Sequence, residues 1–433
     1  MKRNYIIIVF ATLLLAGCSL SKKSQIKKQL DFAENLHQNH VGFTLFDPST
    51  KTFLIERNSD RYFTPASNTK IFTLYASLMM LGDQIPALKY VERGDSLIFW
   101  GTGDPSFLDS QFEYKSAAFE FLKSSDKELY FSSDNYTDQH FGPGWAWDDY
   151  QYSFSAEKSP FPIYGNTVLV GKESSSKKLM ISVPYFKRYF YLNDSISHHG
   201  PITRKVVSND VDYFPKKYSE KFVKKWPFKY SDLLLVNLLS DTLNTKVGLI
   251  EMPLPRNAKT LKGIPADSLY KKMMQQSDNF IAEQLLLVSS TAIGDSLKAQ
   301  ATIGHMQDQY LYDLPDEAVW VDGSGLSRYN LFTPRSLVRL WDKIHNEVEE
   351  ERLFSLLAVG GESGTLKNNY AGNTPYIYAK TGTLSNNHNL SGFIKTKSGK
   401  TLIFSYMNNN HIVSSTQVKK EMERLLLSIH QKY

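Results

Sequence analysis

Tyr376-Ile377-Tyr378-Ala379-Lys380-Thr381-Gly382-Thr383-Leu384-Ser385 is the stretch that decides the fold. Its first four residues are aromatic, β-branched or small and apolar, and read as a strand. The strand runs into Lys-Thr-Gly, a triplet found once in the chain. Further strands are expected at 390–396 and 401–407, with Asn386-Asn387 and Ser398-Gly399 marking the turns. At the other end, 41–46 and 52–56 alternate around Asp47-Pro48-Ser49-Thr50, a hairpin. Strands at both ends most simply join one antiparallel sheet. A final amphipathic helix is predicted from Thr416 to His430, with Val418, Met422, Leu425, Leu426 and Ile429 on one face. The Ser67 region and residues 265–355 are helix-rich and supply a helical layer. The expectation is an α+β fold, with a cleft between antiparallel sheet and helices.

Two upstream motifs precede Lys380-Thr381-Gly382. Ser67-Asn68-Thr69-Lys70 is an S-x-x-K, and Ser277-Asp278-Asn279 is an S-x-N. Each alone is weak. Other serines precede a lysine at this spacing, among them Ser19, Ser24, Ser124 and Ser155, and a second tripeptide stands at Ser133-Asp134-Asn135. Position separates them. Ser67 opens a run with Ile71, Phe72, Tyr75, Leu78 and Met79 at helical spacing, so it belongs in a first turn. Ser277 lies at the junction of two helical stretches, 269–274 and 280–288, where a tight connection can aim side chains into a cleft. Ser133 follows a short strand, 128–131, and opens a turn.

Ser67 and Ser277 are 210 residues apart, and Ser277 and Lys380 are 103 apart. The first interval is far longer than a helical layer needs. It holds strand-like pieces at 90–92, 96–100, 128–131, 167–170 and 179–183. The expected division is a catalytic domain over 31–95 and 263–433, interrupted by a β-rich insertion over 96–262. Insertion loops carry Gly101–Pro105 and Gly142–Trp147. Neither has a phosphate-loop pattern, so no nucleotide cofactor is expected.

The start of the chain reads as a leader. Lys2 and Arg3 are a basic n-region, Tyr5–Ala16 an apolar run too short for a durable span, and Leu15-Ala16-Gly17-Cys18 a lipobox. Residues 1–17 are expected to be a lipoprotein signal peptide, and Cys18 the lipid-modified first residue of the mature chain. Residues 18–30, with Lys22, Lys23, Lys27 and Lys28, would form a basic tether beside a bacterial membrane, with the enzyme facing the periplasm. Cys18 is the only cysteine, so no disulfide staples the fold. The net charge of +6 is mild, and no basic stripe with interleaved aromatics supports a nucleic-acid partner. The His198-His199 pair lacks ligand company, and no metal is assigned.

Three segments carry a family resemblance. They are Pro65–Lys70, Asp322-Gly323-Ser324-Gly325-Leu326-Ser327-Arg328, and Lys380-Thr381-Gly382-Thr383-Leu384-Ser385. S-x-x-K, S-x-N and K-T-G in that order mark penicillin-binding proteins and serine β-lactamases. The segments resemble the D-alanyl-D-alanine carboxypeptidase/endopeptidase family of class C low-molecular-mass penicillin-binding proteins, peptidase family S13. The resemblance runs from about residue 30 to the C-terminus. It implies a serine β-lactamase/transpeptidase-like fold and a Ser67 acyl-enzyme. Peptidoglycan stem peptides and β-lactams would be its partners. The insertion reads as somewhat shorter than is usual in that family.

The residues carry distinct expected roles. Ser67 is a poor nucleophile until a base takes its proton, and Lys70, three residues on, shares its face. Desolvation and the cation of Lys380 would lower the Lys70 pKa. The Ser67 N–H would be one oxyanion donor, and the resemblance makes the Thr383 N–H the second. Ser277 would carry a proton to the leaving group, and Asn279 would bond the substrate amide. Asp278 would hold the loop. Lys380, Thr381 and Thr383 would read a terminal carboxylate, with Gly382 leaving room for the substrate strand. Arg328 is expected in a structural ion pair. Two other readings stand beside this one: a serine β-lactamase, and a non-catalytic cell-wall-binding protein.

Overall fold

A computed structural model describes residues 22–112, 116–173, 178–195, 200–215 and 221–433. The leader, Cys18 and His198-His199 lie outside the described residues. Among the described residues no helix is long and apolar enough to cross a membrane.

The central sheet has six strands: β1 (His40–Asp47), β2 (Thr52–Arg57), β3 (Ala358–Val359), β4 (Ile377–Leu384), β5 (Asn387–Lys395) and β6 (Thr401–Asn409). Their order is β3-β4-β5-β6-β1-β2, and every neighbouring pair is antiparallel. The two ends of the chain meet where β1 pairs with β6, His40 facing Asn409. The β4–β5 turn places Asn386 at φ 67°, a left-handed conformation that asparagine tolerates.

Helices cover both faces. On one face lie α1 (22–37) and α6 (Ser415–Lys432). Ile26 and Leu30 of α1 pack with Val41, Phe43, Leu390 and Phe404, beside Val418, Met422 and Leu425 of α6. On the other face lie α2 (Lys70–Met80), α3 (Ala266–Gln276), α4 (Asn279–Ser290) and α5 (Pro334–Glu347). Phe72, Leu285 and Trp341 meet Phe393, Ile403 and Met407 there. Residues 22–30, expected as tether, are therefore part of the folded body. Ile26, Leu30, Ala33 and His37 recur at helical spacing and are buried. Each such aliphatic side chain contributes about 1.5–3 kcal/mol through burial. The lysines between them masked that stripe. Lys22 Nζ donates to the Lys432 carbonyl at 2.6 Å and joins the two helices.

The insertion begins earlier than expected. Gln84–Arg93 pairs with Ser96–Gly101 on one side and Lys259–Pro265 on the other. A five-stranded sheet results, continued through Glu128–Ser132 and Val247–Leu249. A boundary at 95/96 thus cuts a hairpin at its turn. The reason is that only 90–92 of its first strand read as extended, whereas ten residues form it. Two three-stranded sheets complete the β-rich part, Phe190–Leu192 with Val211–Tyr213 and Ile202–Arg204, and Phe222–Pro227 with Thr167–Lys172 and Met180–Ile181. Helices Ala117–Ser124 and Asp232–Leu243 pack on the five-stranded sheet. Phe161, Phe186, Trp226 and Phe228 lie in a core separate from that of the central sheet. The insertion touches the catalytic layer through Gln284 of α4. Its amide donates to the Gly103 and Ser159 carbonyls at 2.8 and 2.9 Å and accepts the Ser159 N–H.

Candidate active site

Ser67 lies in a 3-10 turn, Ala66–Thr69, and α2 begins only at Lys70. In a 3-10 turn residues i and i+3 eclipse, which sets Lys70 over Ser67 more directly than an α-turn would. Ala66 sits at φ 49°, a conformation that costs a non-glycine residue about 1 kcal/mol or more. Its surroundings hold it there. The Asn68 amide donates to the Lys380 carbonyl at 2.7 Å, tying the turn to β4. Gly325, at φ 79°, brings its Cα so near that a Cβ would stand 1.8 Å from the Ala66 carbonyl oxygen. A Cβ on Gly382 would meet the Pro65 carbonyl oxygen at 2.4 Å. Gly382 is thus required by the nucleophile turn itself. That space, expected from the sequence to receive the substrate strand, is filled by the Pro65 carbonyl.

Lys70 is fully buried. Its ammonium donates to Ser67 Oγ at 2.9 Å, to Asn279 Oδ1 at 2.7 Å and to the Ser324 carbonyl at 2.6 Å. Burial lowers its pKa to about 8, against the opposing pull of Asp322, Glu283 and Asp278. Lys380, also fully buried, donates to Ser277 Oγ and to the Thr381 carbonyl, both at 2.7 Å. Burial first, and the neighbouring Lys70 second, push its pKa well below that of an ordinary lysine. Ser67, Lys70 and Asn279 thus form one bonded group and Ser277 and Lys380 a second, and the two lysines are close enough to influence each other, although the five residues span three distant parts of the chain.

Ser277 caps α3 in a left-handed conformation, φ 59°. Asp278 then caps α4, its Oδ1 accepting the Ile281 N–H at 2.9 Å. This back-to-back cap turns Ser277 and Asn279 toward the two lysines. The Asn279 amide also reaches the insertion, for its Nδ2 gives one of its two N–H groups to the Phe154 carbonyl at 3.0 Å. β3 covers β4 only at Tyr378 and Ala379. Among the described residues no strand pairs with 381–384 on that side, beside Ser67, and an extended ligand could add there. Thr381 is buried and donates to Thr365 Oγ1 at 2.8 Å, while the exposed Thr383 bonds His388 Nδ1 at 2.8 Å.

Several contributors were not read from the sequence. Glu283 is buried on α4 and accepts the Ser324 N–H at 2.7 Å, so it holds the residue whose carbonyl receives Lys70. Burial, helped by Asp322, raises its pKa to about 7. Asp322 organises the 322–330 loop by accepting from the Gly325 and Ser327 N–H groups and from Asn330 Nδ2. For Glu283 the available signal is Glu283-Gln284, a polar pair inside the apolar run 280–288, and Asp322 opens the segment 322–328 that carries the resemblance. Arg328 departs from expectation: it is exposed, and no carboxylate among the described residues pairs with it. In water a guanidinium needs no such partner. Among the described residues no group of three His, Cys, Asp or Glu could hold a metal.

The profile of the D-Ala-D-Ala carboxypeptidase 3 (S13) family matches residues 22–201 and 231–432. The chain belongs to this family. It is accordingly a serine peptidase of the D-Ala-D-Ala carboxypeptidase type. It is 23% identical to D-alanyl-D-alanine carboxypeptidase DacB of Haemophilus influenzae, over 90% of this chain and 89% of that one. It is 24% identical to a D-alanyl-D-alanine carboxypeptidase of Actinomadura, over 92% of this chain and 83% of that one. Penicillin binding protein 4 of Haemophilus influenzae shares the fold, with TM-score 0.74, 20% identity, and coverage of 94% and 99% of the two chains. Family members thus carry the transpeptidase-like fold that the motif order implied.

Proposed function

We propose that this protein cleaves D-alanyl-D-alanine bonds of peptidoglycan stem peptides through an ester at Ser67, as carboxypeptidase, endopeptidase or both. The observation that carries this is Lys70, a buried lysine shared by Ser67 Oγ and Asn279 Oδ1 with a pKa near 8. Roughly a tenth of it is neutral at pH 7, enough to act as a general base. Neutral Lys70 takes the Ser67 proton as Oγ attacks the carbonyl carbon of the penultimate D-alanine. The oxyanion forms near the N–H groups of Ser67 and Thr383. Ser277, bonded to Lys380, passes a proton to the departing nitrogen. Asn279 orients Lys70 and the substrate amide. Lys380, Thr381 and Thr383 receive the terminal carboxylate, and water then hydrolyses the ester. A β-lactam enters the same route and stops at the ester. The leaving group alone separates carboxypeptidase from endopeptidase.

The placement belongs to the same proposal. Cys18 carries a lipid, and the enzyme is held in the bacterial envelope facing the periplasm. The lipobox supports this, and α1 begins within a few residues of it.

Purified muropeptides analysed by mass spectrometry test the activity. Loss of one alanine reports carboxypeptidase, and conversion of dimers to monomers reports endopeptidase. Nitrocefin separates the alternatives: a stoichiometric burst fits the peptidase, sustained turnover a β-lactamase. Absence of any fluorescent-penicillin label would leave only a binding protein.

A further inference from the structure

Thr381 and Thr383 lie two residues apart on β4, so their hydroxyls share one face of the strand. They are not equivalent. Thr381 spends its proton on Thr365 Oγ1. Thr383 is the exposed hydroxyl at the free strand edge, and its bond goes to His388 Nδ1 at 2.8 Å. His388 is its register partner on β5 and is only 2% exposed. Neutral imidazole has one N–H and one bare nitrogen, so the tautomer decides what Thr383 can do. If Nδ1 is bare, it takes the Thr383 proton, and the hydroxyl offers a carboxylate only lone pairs. If Nδ1 bears the hydrogen, the Thr383 oxygen accepts, and its own proton faces the cleft.

We propose that His388 is a specificity-determining positioning residue: its Nδ1–H donates to Thr383 Oγ1 and frees the Thr383 proton for a substrate carboxylate. The inference rests on the reading above in which β4 receives that carboxylate. Burial, with Lys419 and His411 nearby, lowers the His388 pKa to about 3 and keeps the ring neutral throughout the working range. The ring is thus a fixed hydrogen-bond director that never becomes a cation. It touches no reacting atom.

The test compares a D-Ala-D-Ala peptide with its C-terminal amide. His388→Leu should lower kcat/KM for the free acid about tenfold, the scale of one charge-assisted hydrogen bond, and leave the amide near wild type. His388→Asn, which can place an N–H near the Nδ1 position, should recover most of the preference. In a Thr383→Ala background, His388→Leu should change nothing further. A Leu variant in which acid and amide fall equally, or in which the preference persists, overturns the proposal. The unsubstituted protein supplies a second check, since long-range ¹H–¹⁵N spectra should show His388 protonated on Nδ1. Protonation on Nε2 also overturns it. Failure of penicillin to label Ser67 at all is a different outcome and strikes the proposed function instead.

Discussion

Ser133-Asp134-Asn135 and Ser277-Asp278-Asn279 are the same tripeptide in two settings. In the insertion, Ser133 Oγ donates to the Asp232 carboxylate at 2.5 Å, and Asn135 Nδ2 donates to the Gly101 carbonyl at 2.8 Å. Both side chains give protons to acceptors and fasten loops. In the catalytic layer Asn279 Nδ2 still donates, to the Phe154 carbonyl, but both side chains also accept from a lysine. Ser277 Oγ accepts from Lys380, and Asn279 Oδ1 accepts from Lys70. The backbones differ as well, since Ser277 is left-handed between two helices and Asp278 caps the second. A serine and an asparagine become chemical groups when buried cations feed them. Fed by nothing, they are ordinary polar linkers.

The sharpest way to break this comparison is to remove one cation. Lys70→Ala should slow penicillin acylation of Ser67 by at least ~10³-fold, the scale for losing the base of a nucleophile–base unit. A loss below tenfold would mean that another group activates Ser67, and that the contrast between the tripeptides lies elsewhere.

Removing the second cation should have a smaller, substrate-dependent effect. Lys380→Ala should cost a D-Ala-D-Ala peptide roughly tenfold to a hundredfold, and its C-terminal amide much less. Equal losses would show that Lys380 acts on Ser277 and Lys70 and does not read the carboxylate.

The pH profile tests the burial of Lys70 directly. Burial lowers its pKa from 10.5 to about 8, so the neutral base is depleted below that value. Acylation should rise about tenfold per pH unit up to near 8 and then level off. A flat profile between pH 6 and 9 would exclude Lys70 as the titrating base.

The smallest expected effect sharpens the comparison from the other side. Asn279→Ala should cripple acylation, but replacing Ser133 and Asn135 with alanine should leave its rate near wild type. The insertion variant should still lose about 1–3 kcal/mol of stability, seen as a lower Tm, because its hydrogen bonds fasten a buried carbonyl and a half-buried carboxylate. Equal losses of acylation in the two variants would mean that the tripeptides are functionally linked.

Much of the catalytic layer was legible before folding was considered. The β4 stretch, the terminal hairpin and the last helix follow from period-2 and period-3.6 patterning, which is local. Ser67 and Ser277 stand apart from the decoys weighed against them because helix starts and helix junctions also leave local marks, and Lys380 is marked by a triplet that occurs once. The start of the insertion was less legible, for a hairpin turn looks like a linker until its strands are seen to pair. The buried stripe of α1 was hidden by intervening lysines.

What the chain alone determined, then, is which residues are available and in which local conformations. Tertiary structure decided their meaning. That the Lys70 pKa is lowered follows from burial beneath Ser324 and Asn279, and burial is a property of packing between elements over 200 residues apart. That Gly382 must be glycine follows from the Pro65 carbonyl lying against it. That Glu283 holds the Ser324 peptide, and that His388 meets Thr383, depends on distances between elements. Hydrogen bonds and desolvation act over a few ångströms in space, and no pattern along a chain encodes which distant atoms will come that close.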